Sequence, residues 1–306
     1  NPLEPILKRI DELKAQKDAL PKEHHQLERL SKDRSLYIAI PTPSNLKESL
    51  KLGDFKLSDH ITVAYGTEAK LARKNLLGKI VKVRVFGPPV FWSDKKGFRY
   101  GYIRVIYTFA DGTEYVGHIS LSGGNLNGSP GENHHHQHDH QLDFTKLKPI
   151  YQFESIVVII KPGANVIASF DCDDTLFKFP QIPAQKIGEH LKSLKGLEIS
   201  DLTRLGKILQ NLGRPFVLNT SRTYVTEEEF QKFTGAINEV FSEAIVRCNR
   251  KPYGKGNREA KKAAAKLKSL EDLEIDPWYI LHFDDQVIDG MPHLVLVFKD
   301  GKKLQT

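Results

Sequence analysis

An apolar run that ends in a cluster of acidic residues constrains the fold of this chain more than any other feature. Residues 165–170 form the run, and Asp171-Cys172-Asp173-Asp174-Thr175-Leu176 follows it directly. A short apolar run bounded by polar residues predicts a buried strand. The segments that follow alternate between strand-like and helix-like patterns, which is typical of an open parallel α/β sheet. Because such sheets bind ligands at the carboxyl ends of their strands, the acidic cluster is predicted to face a ligand crevice.

Two further apolar segments end in polar groups that suit the same chemistry. They are residues 278–283 before Asp284, Asp285 and Asp289, and residues 215–219 before Thr220 and Ser221. Asp171 and Asp173, at i and i+2 of a strand end, point the same way, so one carboxylate can attack phosphorus while the other transfers the proton. Their combined negative charge calls for Mg²⁺, which prefers oxygen ligands.

In content and in order these segments resemble the motifs of the haloacid-dehalogenase (HAD) phosphohydrolase superfamily. The resemblance implies that Asp171 is the nucleophile that forms an aspartyl-phosphate and that Asp173 is the general acid and base. It implies phosphate binding by Thr220 and Ser221. The Mg²⁺ ligands that it implies are Asp171, Asp173 and Asp285, with Asp284 and Asp289 in support.

The lysine of the HAD motif set has two candidates. Lys255, directly before Gly256 at the start of a predicted helix, fits its usual setting best, and Lys251 is a close competitor. The segments between the motifs are too short for a large cap domain, because Thr220 lies 45 positions after Thr175 and Asp285 lies 65 positions after Thr220. Little or no cap leaves the site open to macromolecular substrates.

Two His-x-(Thr/Ser) tripeptides lie inside strand-like runs of the N-terminal half: His60-Ile61-Thr62 and His118-Ile119-Ser120. Side chains alternate along a strand, so each His shares a face with its hydroxyl residue. Histidine can both accept and donate a proton near neutral pH, so two such strands side by side predict metal-free acid–base attack on a phosphodiester. Chance alone gives roughly one such tripeptide in a chain of this composition, so the strand context carries the prediction.

This pair resembles the 2H phosphoesterase superfamily, whose members include RNA 2′,3′-cyclic phosphodiesterases. The resemblance implies that His60 and His118 are catalytic and that Thr62 and Ser120 bind the phosphate, with no cofactor. The alternative is a β-domain with two ordinary half-buried histidines.

The predicted organisation is two domains. Residues 1–162 form an α+β domain of antiparallel sheets with leading helices in 2–31 and a loop at 122–143 that contains the cluster His134–His140. Residues 163–306 form a Rossmann-like α/β domain with a parallel sheet and helices at 184–194, 200–211, 227–240 and 256–270. The histidine cluster is interpreted as a loop that binds transition metals only incidentally.

Composition narrows the class of protein. Only two cysteines occur, which excludes a disulfide framework, and the longest apolar run, residues 156–160, is too short to cross a bilayer. An intracellular, cytoplasmic location is expected, with the nucleus as an open alternative. The first residue is Asn1 and the single methionine is Met291, which indicates a processed piece of a longer chain. The net charge of +7, with basic residues crowded between 247 and 268, suits a polyanionic partner, although a solvated helix face is the alternative.

The leading hypothesis is a bifunctional RNA 3′-end-healing enzyme. The N-terminal site would open a 2′,3′-cyclic phosphate, and the C-terminal site would remove the phosphomonoester. Its partners would be RNA or nucleotide 3′ ends, with sealing left to a separate ligase or kinase. Two alternatives remain open: degradation of a small cyclic nucleotide signal, and a protein or nucleotide phosphatase whose N-terminal domain is a binding module.

Overall fold

The computed structural model describes residues 32, 34–128, 147–161, 163, 168–178, 198–199, 202–251, 253–271, 273, 281–285, 294–299 and 302–303. Four sequence-based predictions fall outside these ranges: the leading helices in 2–31, the cluster His134–His140, the helix at 184–194 and the candidate ligand Asp289. No helix in the described ranges is both long enough and apolar enough to cross a membrane.

The first eight strands pair only antiparallel. They are β1 Tyr37–Pro41, β2 Phe55–Leu57, β3 His60–Ala64, β4 Ile80–Ser93, β5 Arg99–Phe109, β6 Glu114–Gly123, β7 Tyr151–Ile156 and β8 Val158–Ile160. One sheet has the order β3-β1-β8 and the other β2-β6-β5-β4-β7. Two residues separate β2 from β3, and Val157 alone separates β7 from β8. The segment 55–64 and the segment 151–160 therefore each contribute one strand to each sheet. The sheets therefore join at both edges into an antiparallel barrel of six chain segments.

The barrel core is filled by buried side chains that alternate with more exposed ones along the strands. Val81, Val83 and Val85 of β4 are buried, whereas the side chains between them are exposed or half-buried. These valines pair with Phe109, Tyr107 and Val105 of β5, so β-branched and aromatic side chains from neighbouring strands pack together. Helix α1 (Leu46–Ser49), helix α2 (Thr67–Arg73) and a 3₁₀ turn (Lys74–Leu76) lie in the connections.

The β4–β5 hairpin is longer than its sequence predicts. The pattern indicates a strand that stops at Val85, before Gly87-Pro88-Pro89, because proline cannot donate a ladder hydrogen bond. The register between the strands shifts there, yet β4 resumes and pairs Val90 with Tyr102 and Ser93 with Arg99.

The C-terminal part contains the predicted parallel sheet. Its strands are β9 Ala168–Phe170, β12 Val217–Thr223, β13 Ile245–Asn249, β14 Leu281–Asp284 and β15 Leu294–Lys299, with β16 Lys302–Lys303 added antiparallel. The helices are α3 Thr203–Asn211, α4 Glu227–Asn238 and α5 Arg258–Glu271, and a small pair, β10 Phe177–Lys178 and β11 Glu198–Ile199, lies beside them. The spatial order is β13-β12-β9-β14-β15-β16. From β9 the chain first adds β12 and β13 on one side and then crosses to add β14 and β15 on the other. The carboxyl ends of β9 and β14 therefore form the topological switch point of the sheet.

Several contacts join the barrel to the parallel sheet. The guanidinium of Arg214 donates to the carbonyl oxygens of Asp59 at 2.9 Å and Thr42 at 3.4 Å. Arg204 forms an ion pair with Glu154 of β7 at 2.7 Å. The last barrel strand ends at Ile160 and the first parallel strand begins at Ala168. The domain boundary at residue 162 stays a prediction.

Candidate active site

Three carboxylates meet at the switch point of the parallel sheet. Asp171 follows β9, Asp284 ends β14, and Asp285 comes next. These strands are neighbours, and the backbone N–H of Asp171 donates to the carbonyl oxygen of Phe283 at 2.9 Å. One ligand oxygen from each of the three carboxyl groups lies within 4.8 Å of the others. Asp171 and Asp284 are buried and Asp285 is half-buried. Segments more than 100 residues apart in sequence thus build one acidic cluster.

The cation that balances this cluster is Lys266, which corrects the prediction of Lys255 or Lys251. Its ammonium nitrogen lies 2.5 Å from Oδ2 of Asp284 and 3.1 Å from Oδ1 of Asp171. Lys266 is only 1% exposed, whereas Lys251 and Lys255 are exposed.

The position of Lys266 on helix α5 explains why the sequence prediction was wrong. Lys266 lies three residues after Ala263 and four before Leu270, and both of these residues are buried. Residues at this spacing share one helix face. The sequence therefore contained a signal: a lysine inside the apolar stripe of a helix. A lysine at the start of that helix was a weaker candidate because helix starts are exposed.

The ionisable groups of the cluster differ in how their surroundings shift their pKa values. The pKa of Asp171 is raised to about 7, because burial and the charges of Asp284 and Asp173 together outweigh the lowering effect of Lys266. Burial also acts on Asp284, but the hydrogen bond from His282 and the charge of Lys266 outweigh it and hold the pKa below its ordinary value. Burial lowers the pKa of Lys266, yet the two carboxylates raise it more. Asp284 and Lys266 therefore form a fixed ion pair, and Asp171 is the member whose charge depends on its surroundings.

A buried histidine orients Asp284. His282 Nε2 lies 3.0 Å from Oδ2 of Asp284, and His282 Nδ1 lies 2.8 Å from the hydroxyl oxygen of Ser169 on β9. Burial lowers the pKa of His282 and favours the neutral ring. A neutral ring that donates from Nε2 to the carboxylate accepts from Ser169 at Nδ1. Neither residue was predicted as part of the site.

Asp173 is held by an arginine rather than by the acidic cluster. Nε of Arg222 lies 2.8 Å from both carboxylate oxygens of Asp173, and a terminal nitrogen of the same guanidinium forms an ion pair with one of them. Arg222 also donates to the hydroxyl oxygen of Tyr224 at 3.4 Å. Asp173 was predicted as a metal ligand as well as an acid and base, and this geometry instead supports a carboxylate positioned by Arg222. Arg222 directly follows the predicted residues Thr220 and Ser221, but it was not predicted as part of the site.

The predicted hydroxyl residues lie at the same edge of the sheet. β12 pairs with β9 through Leu218 and Phe170, so Thr220 lies two residues past the last pair. Thr220 is buried, and its hydroxyl oxygen accepts from the N–H of Arg222 at 3.2 Å. Ser221 is half-buried, and its carbonyl oxygen accepts from the hydroxyl of Tyr253 at 2.7 Å.

The carboxylate cluster fits a divalent cation. Three carboxyl groups provide the oxygen ligands that Mg²⁺ prefers. Oδ1 of Asp171 is buried and lies 3.1 Å from the ammonium nitrogen of Lys266. One lysine charge does not balance three carboxylates, and a bound divalent cation would balance the rest. Asp171, Asp284 and Asp285 are the residues that would hold Mg²⁺.

The two histidine tripeptides occupy neighbouring strands of the barrel. Leu57 of β2 pairs with Leu121 of β6, and the N–H of Ser58 donates to the carbonyl oxygen of Ser120 at 2.9 Å. Continued past its last pair, this register would bring His60 level with His118. The chain of β3 turns away to pair with β1.

The buried residues next to the histidines follow the same register. A methyl carbon of Ile61 lies 3.2 Å from the position that a Cβ on Gly117 would occupy. Ile61 and Gly117 face the barrel interior, so alternation points His60 and His118 outward. Because the strands are antiparallel, Thr62 and Ser120 fall on opposite sides of the histidine pair instead of facing each other.

The surroundings of the two histidines differ. His60 Nδ1 lies 2.7 Å from a carboxylate oxygen of Asp59, and the His60 side chain is only 10% exposed. Burial raises the pKa of Asp59, but the hydrogen bond and charge of His60, together with Arg214, lower it below its ordinary value. His118 is half-buried, with its ring edge-on to Tyr102 at 5.7 Å. Asp59 was not predicted, although an acid next to a candidate base is a signal that the sequence carries.

Comparisons with known proteins do not assign the chain to a family. No protein-family model matches the chain, and no curated protein sequence matches it. A crystal structure of a HAD family hydrolase from Salmonella enterica subsp. enterica serovar Typhi is similar over 70% of this chain and 86% of that chain, with 12% sequence identity and a TM-score of 0.28. A TM-score this low does not establish a shared fold.

Proposed function

We propose that this chain is a Mg²⁺-dependent phosphomonoesterase with Asp171 as its nucleophile. The observation that carries the proposal is the buried cluster at the switch point, where Asp171 shares its pocket with the Asp284–Lys266 ion pair. Open α/β sheets bind ligands at this position. The sequence resemblance to HAD phosphohydrolases assigns the same role to Asp171, but the geometry supports the role without it.

The reaction follows from the positions of these side chains. A carboxylate oxygen of Asp171 attacks phosphorus, the bond from phosphorus to the ester oxygen breaks, and the Asp171 side chain then carries the phosphoryl group. Lys266 offsets the negative charge that builds up beside Asp171 and Asp284. When bound, Mg²⁺ would supply further positive charge to balance the carboxylates and the phosphoryl oxygens.

Asp173 is the group proposed to move the proton. Asp173 lies two residues from the nucleophile on the same strand end, and Arg222 fixes the direction of its carboxyl group. In its protonated form Asp173 would donate its proton to the leaving oxygen, and the resulting carboxylate would accept one from the water that hydrolyses the acyl phosphate, which restores the Asp171 carboxylate and the Asp173 acid. Thr220, at the adjacent strand end, is proposed to donate to a phosphoryl oxygen.

Phosphate release from p-nitrophenyl phosphate tests the proposal. The wild-type chain is expected to release phosphate with Mg²⁺ and not with EDTA, and Asp171→Asn is expected to be inactive in both. Asp54→Asn, an exposed acid of the barrel, serves as the control and keeps the wild-type rate. Mg²⁺-dependent release that survives Asp171→Asn would contradict the assignment.

The second candidate function is a metal-free cyclic phosphodiesterase in the barrel, which would make the chain an RNA 3′-end-healing enzyme. The register that aligns His60 with His118 favours it. His60, held by Asp59, would be one proton-transfer group and His118 the other, with Thr62 and Ser120 binding the phosphate oxygens. The product would pass to the phosphatase site, and a separate RNA ligase or kinase would complete sealing.

Two substrates in EDTA separate the alternatives for the barrel. Opening of a 2′,3′-cyclic phosphate on an oligonucleotide but not on a mononucleotide favours RNA healing. The reverse preference favours a small cyclic nucleotide signal. No opening of either would leave a phosphatase whose barrel is a binding module.

A further inference from the structure

The tip of the β4–β5 hairpin extends past the strands that flank it. β6 pairs with β5 only as far as Gly101, and β7 pairs with β4 only as far as Val85. The hairpin tip, defined as residues 92–100, is the region that carries the inference. It lies far in sequence from the phosphatase residues and includes none of the candidate catalytic groups.

The tip has a fixed shape. Oδ1 of Asp94 accepts from the backbone N–H groups of Lys96 and Phe98, both at 2.9 Å. The N–H of Asp94 donates to the carbonyl oxygen of Phe98 at 3.0 Å, and Gly97 takes a φ of 84° that other residues rarely adopt. The side chains at the tip are therefore presented by a rigid turn, so little ordering entropy is lost on binding.

Aromatic rings line one face of the tip. Trp92 pairs with Tyr100, and their rings stack with centroids 4.4 Å apart and an interplanar angle of 15°. Phe98 directly precedes β5 and lies two residues before Tyr100. Its side chain is 43% exposed, so its ring is accessible to a ligand.

Positive charge surrounds the exposed ring. Lys95, Lys96 and Arg99 are exposed, and Asp94 is the single acid within residues 92–100. The tip therefore carries three positive charges against one negative charge, a net of +2. One oxygen of that acid is already occupied by the turn. An exposed aromatic ring among lysines is the combination that binds bases by stacking and phosphates by charge.

We propose that the hairpin tip is a binding site for single-stranded nucleic acid, with a base stacked on Phe98 and phosphates at Lys95 and Lys96. A purely apolar protein partner would gain nothing from the lysines, and a duplex offers no unstacked base to the ring.

Fluorescence anisotropy with a labelled 12-nucleotide RNA that ends in a 3′ hydroxyl tests the site. With hydroxyl groups at its ends, this probe lacks the phosphomonoester and the cyclic phosphate on which the proposed sites would act, so its result is independent of the proposed phosphatase. Phe98→Ala is expected to weaken binding by about 10-fold, in the range of one lost stacked base. Phe98→Trp is expected to keep the affinity and Phe98→Leu to lose it, because leucine has no π face.

The lysines are tested by the salt dependence of the same binding. Lys95→Ala combined with Lys96→Ala is expected to reduce the slope of log affinity against log salt by about 1.4, from two lost phosphate contacts on a single strand. Ile150→Ala and Lys51→Ala, exposed residues outside the tip, are the controls and bind like wild type. The proposal is overturned if the wild-type chain does not bind the RNA, if it binds duplex RNA as tightly as the single strand, or if Phe98→Leu keeps the wild-type affinity.

Discussion

The acidic cluster of the parallel sheet and the histidine pair of the barrel are assembled by different rules. In the parallel sheet every strand delivers its carboxyl end to the same edge, so Asp171 and Asp284 meet whatever the length of chain between them. In the barrel, His60 and His118 can meet only if two strands pair in one particular register. The first site therefore depends on topology and the second on register.

The two sites also differ in how their charges are held. Asp284, Lys266 and His282 are buried and bound to one another, so removal of any one leaves a charged or polar group without its partner. The histidine pair is built from outward-facing side chains, and His60 has the carboxylate of Asp59 beside it. Changes in the cluster should therefore affect both stability and chemistry, whereas changes in the barrel pair should affect chemistry alone.

The largest expected effect is on the nucleophile. Asp171→Asn should reduce phosphate release by about 10³-fold or more, because the amide cannot attack phosphorus. Because the acidic cluster and the histidine pair are separate sites, the same variant should open a 2′,3′-cyclic phosphate at the wild-type rate. Parallel assays of both reactions on one protein preparation measure this, and loss of both activities would mean that the sites are not separate.

Lys266→Met should destabilise the chain by about 3–5 kcal/mol, because it leaves the carboxylates of Asp171 and Asp284 buried without their cation. Denaturant unfolding with the variant and with Lys268→Met measures the effect. Lys268 is exposed on the same helix, and its loss should change the free energy of unfolding by about 0.5 kcal/mol or less. Equal effects of the two variants would remove Lys266 from the centre of the site.

His118→Ala and His60→Ala should each slow the opening of a cyclic phosphate by about 10²-fold, the usual size of one proton-transfer role. Phosphate release from p-nitrophenyl phosphate and the melting temperature should not change. The measurement is the rate of ring opening in EDTA across pH 5–9, in steps of about one unit. Loss of either histidine should remove one limb of the plot of rate against pH. Wild-type rates in both variants would make the barrel a binding module.

The last expected effect is on stability against pH. The folded carboxyl of Asp171 has its pKa raised to about 7, while the unfolded carboxyl ionises near about 4. The folded state therefore holds this proton more tightly, and the stability that it contributes below about pH 4 is lost as the pH rises toward about 7. Melting temperatures in EDTA should fall across this window, and Asp171→Asn should flatten the fall. A wild-type curve that rises over the same window would show that Asp171 is charged throughout.

The sequence predicted the features that depend on strand ends and missed those that depend on helix faces and register. Asp171, Asp284 and Thr220 were predicted because each follows an apolar run that could only be a buried strand. Lys266 was missed because eight other basic residues surround it, and only the burial of Ala263 and Leu270 identifies the inward face.

Other parts of the site had no local signal at all. Arg222 and His282 are placed by contacts across the sheet, to Asp173 and to Ser169, which no spacing in the sequence reveals. The alignment of His60 with His118 depends on β2 pairing with β6, and many other pairings fit the same alternation. The continuation of β4 beyond Pro89 likewise depends on its partner strand, because local propensity argues against it.

One RNA that ends in a 2′,3′-cyclic phosphate tests the two-site account most directly. The RNA would be incubated with the chain in EDTA and then in excess Mg²⁺, and the cyclic, monophosphate and hydroxyl ends would be resolved at each stage. The account predicts a monophosphate end in EDTA and a hydroxyl end only after Mg²⁺ is added. A cyclic end that survives both stages, while Mg²⁺ still supports hydrolysis of p-nitrophenyl phosphate, would contradict the barrel site and leave the acidic cluster as the catalytic centre.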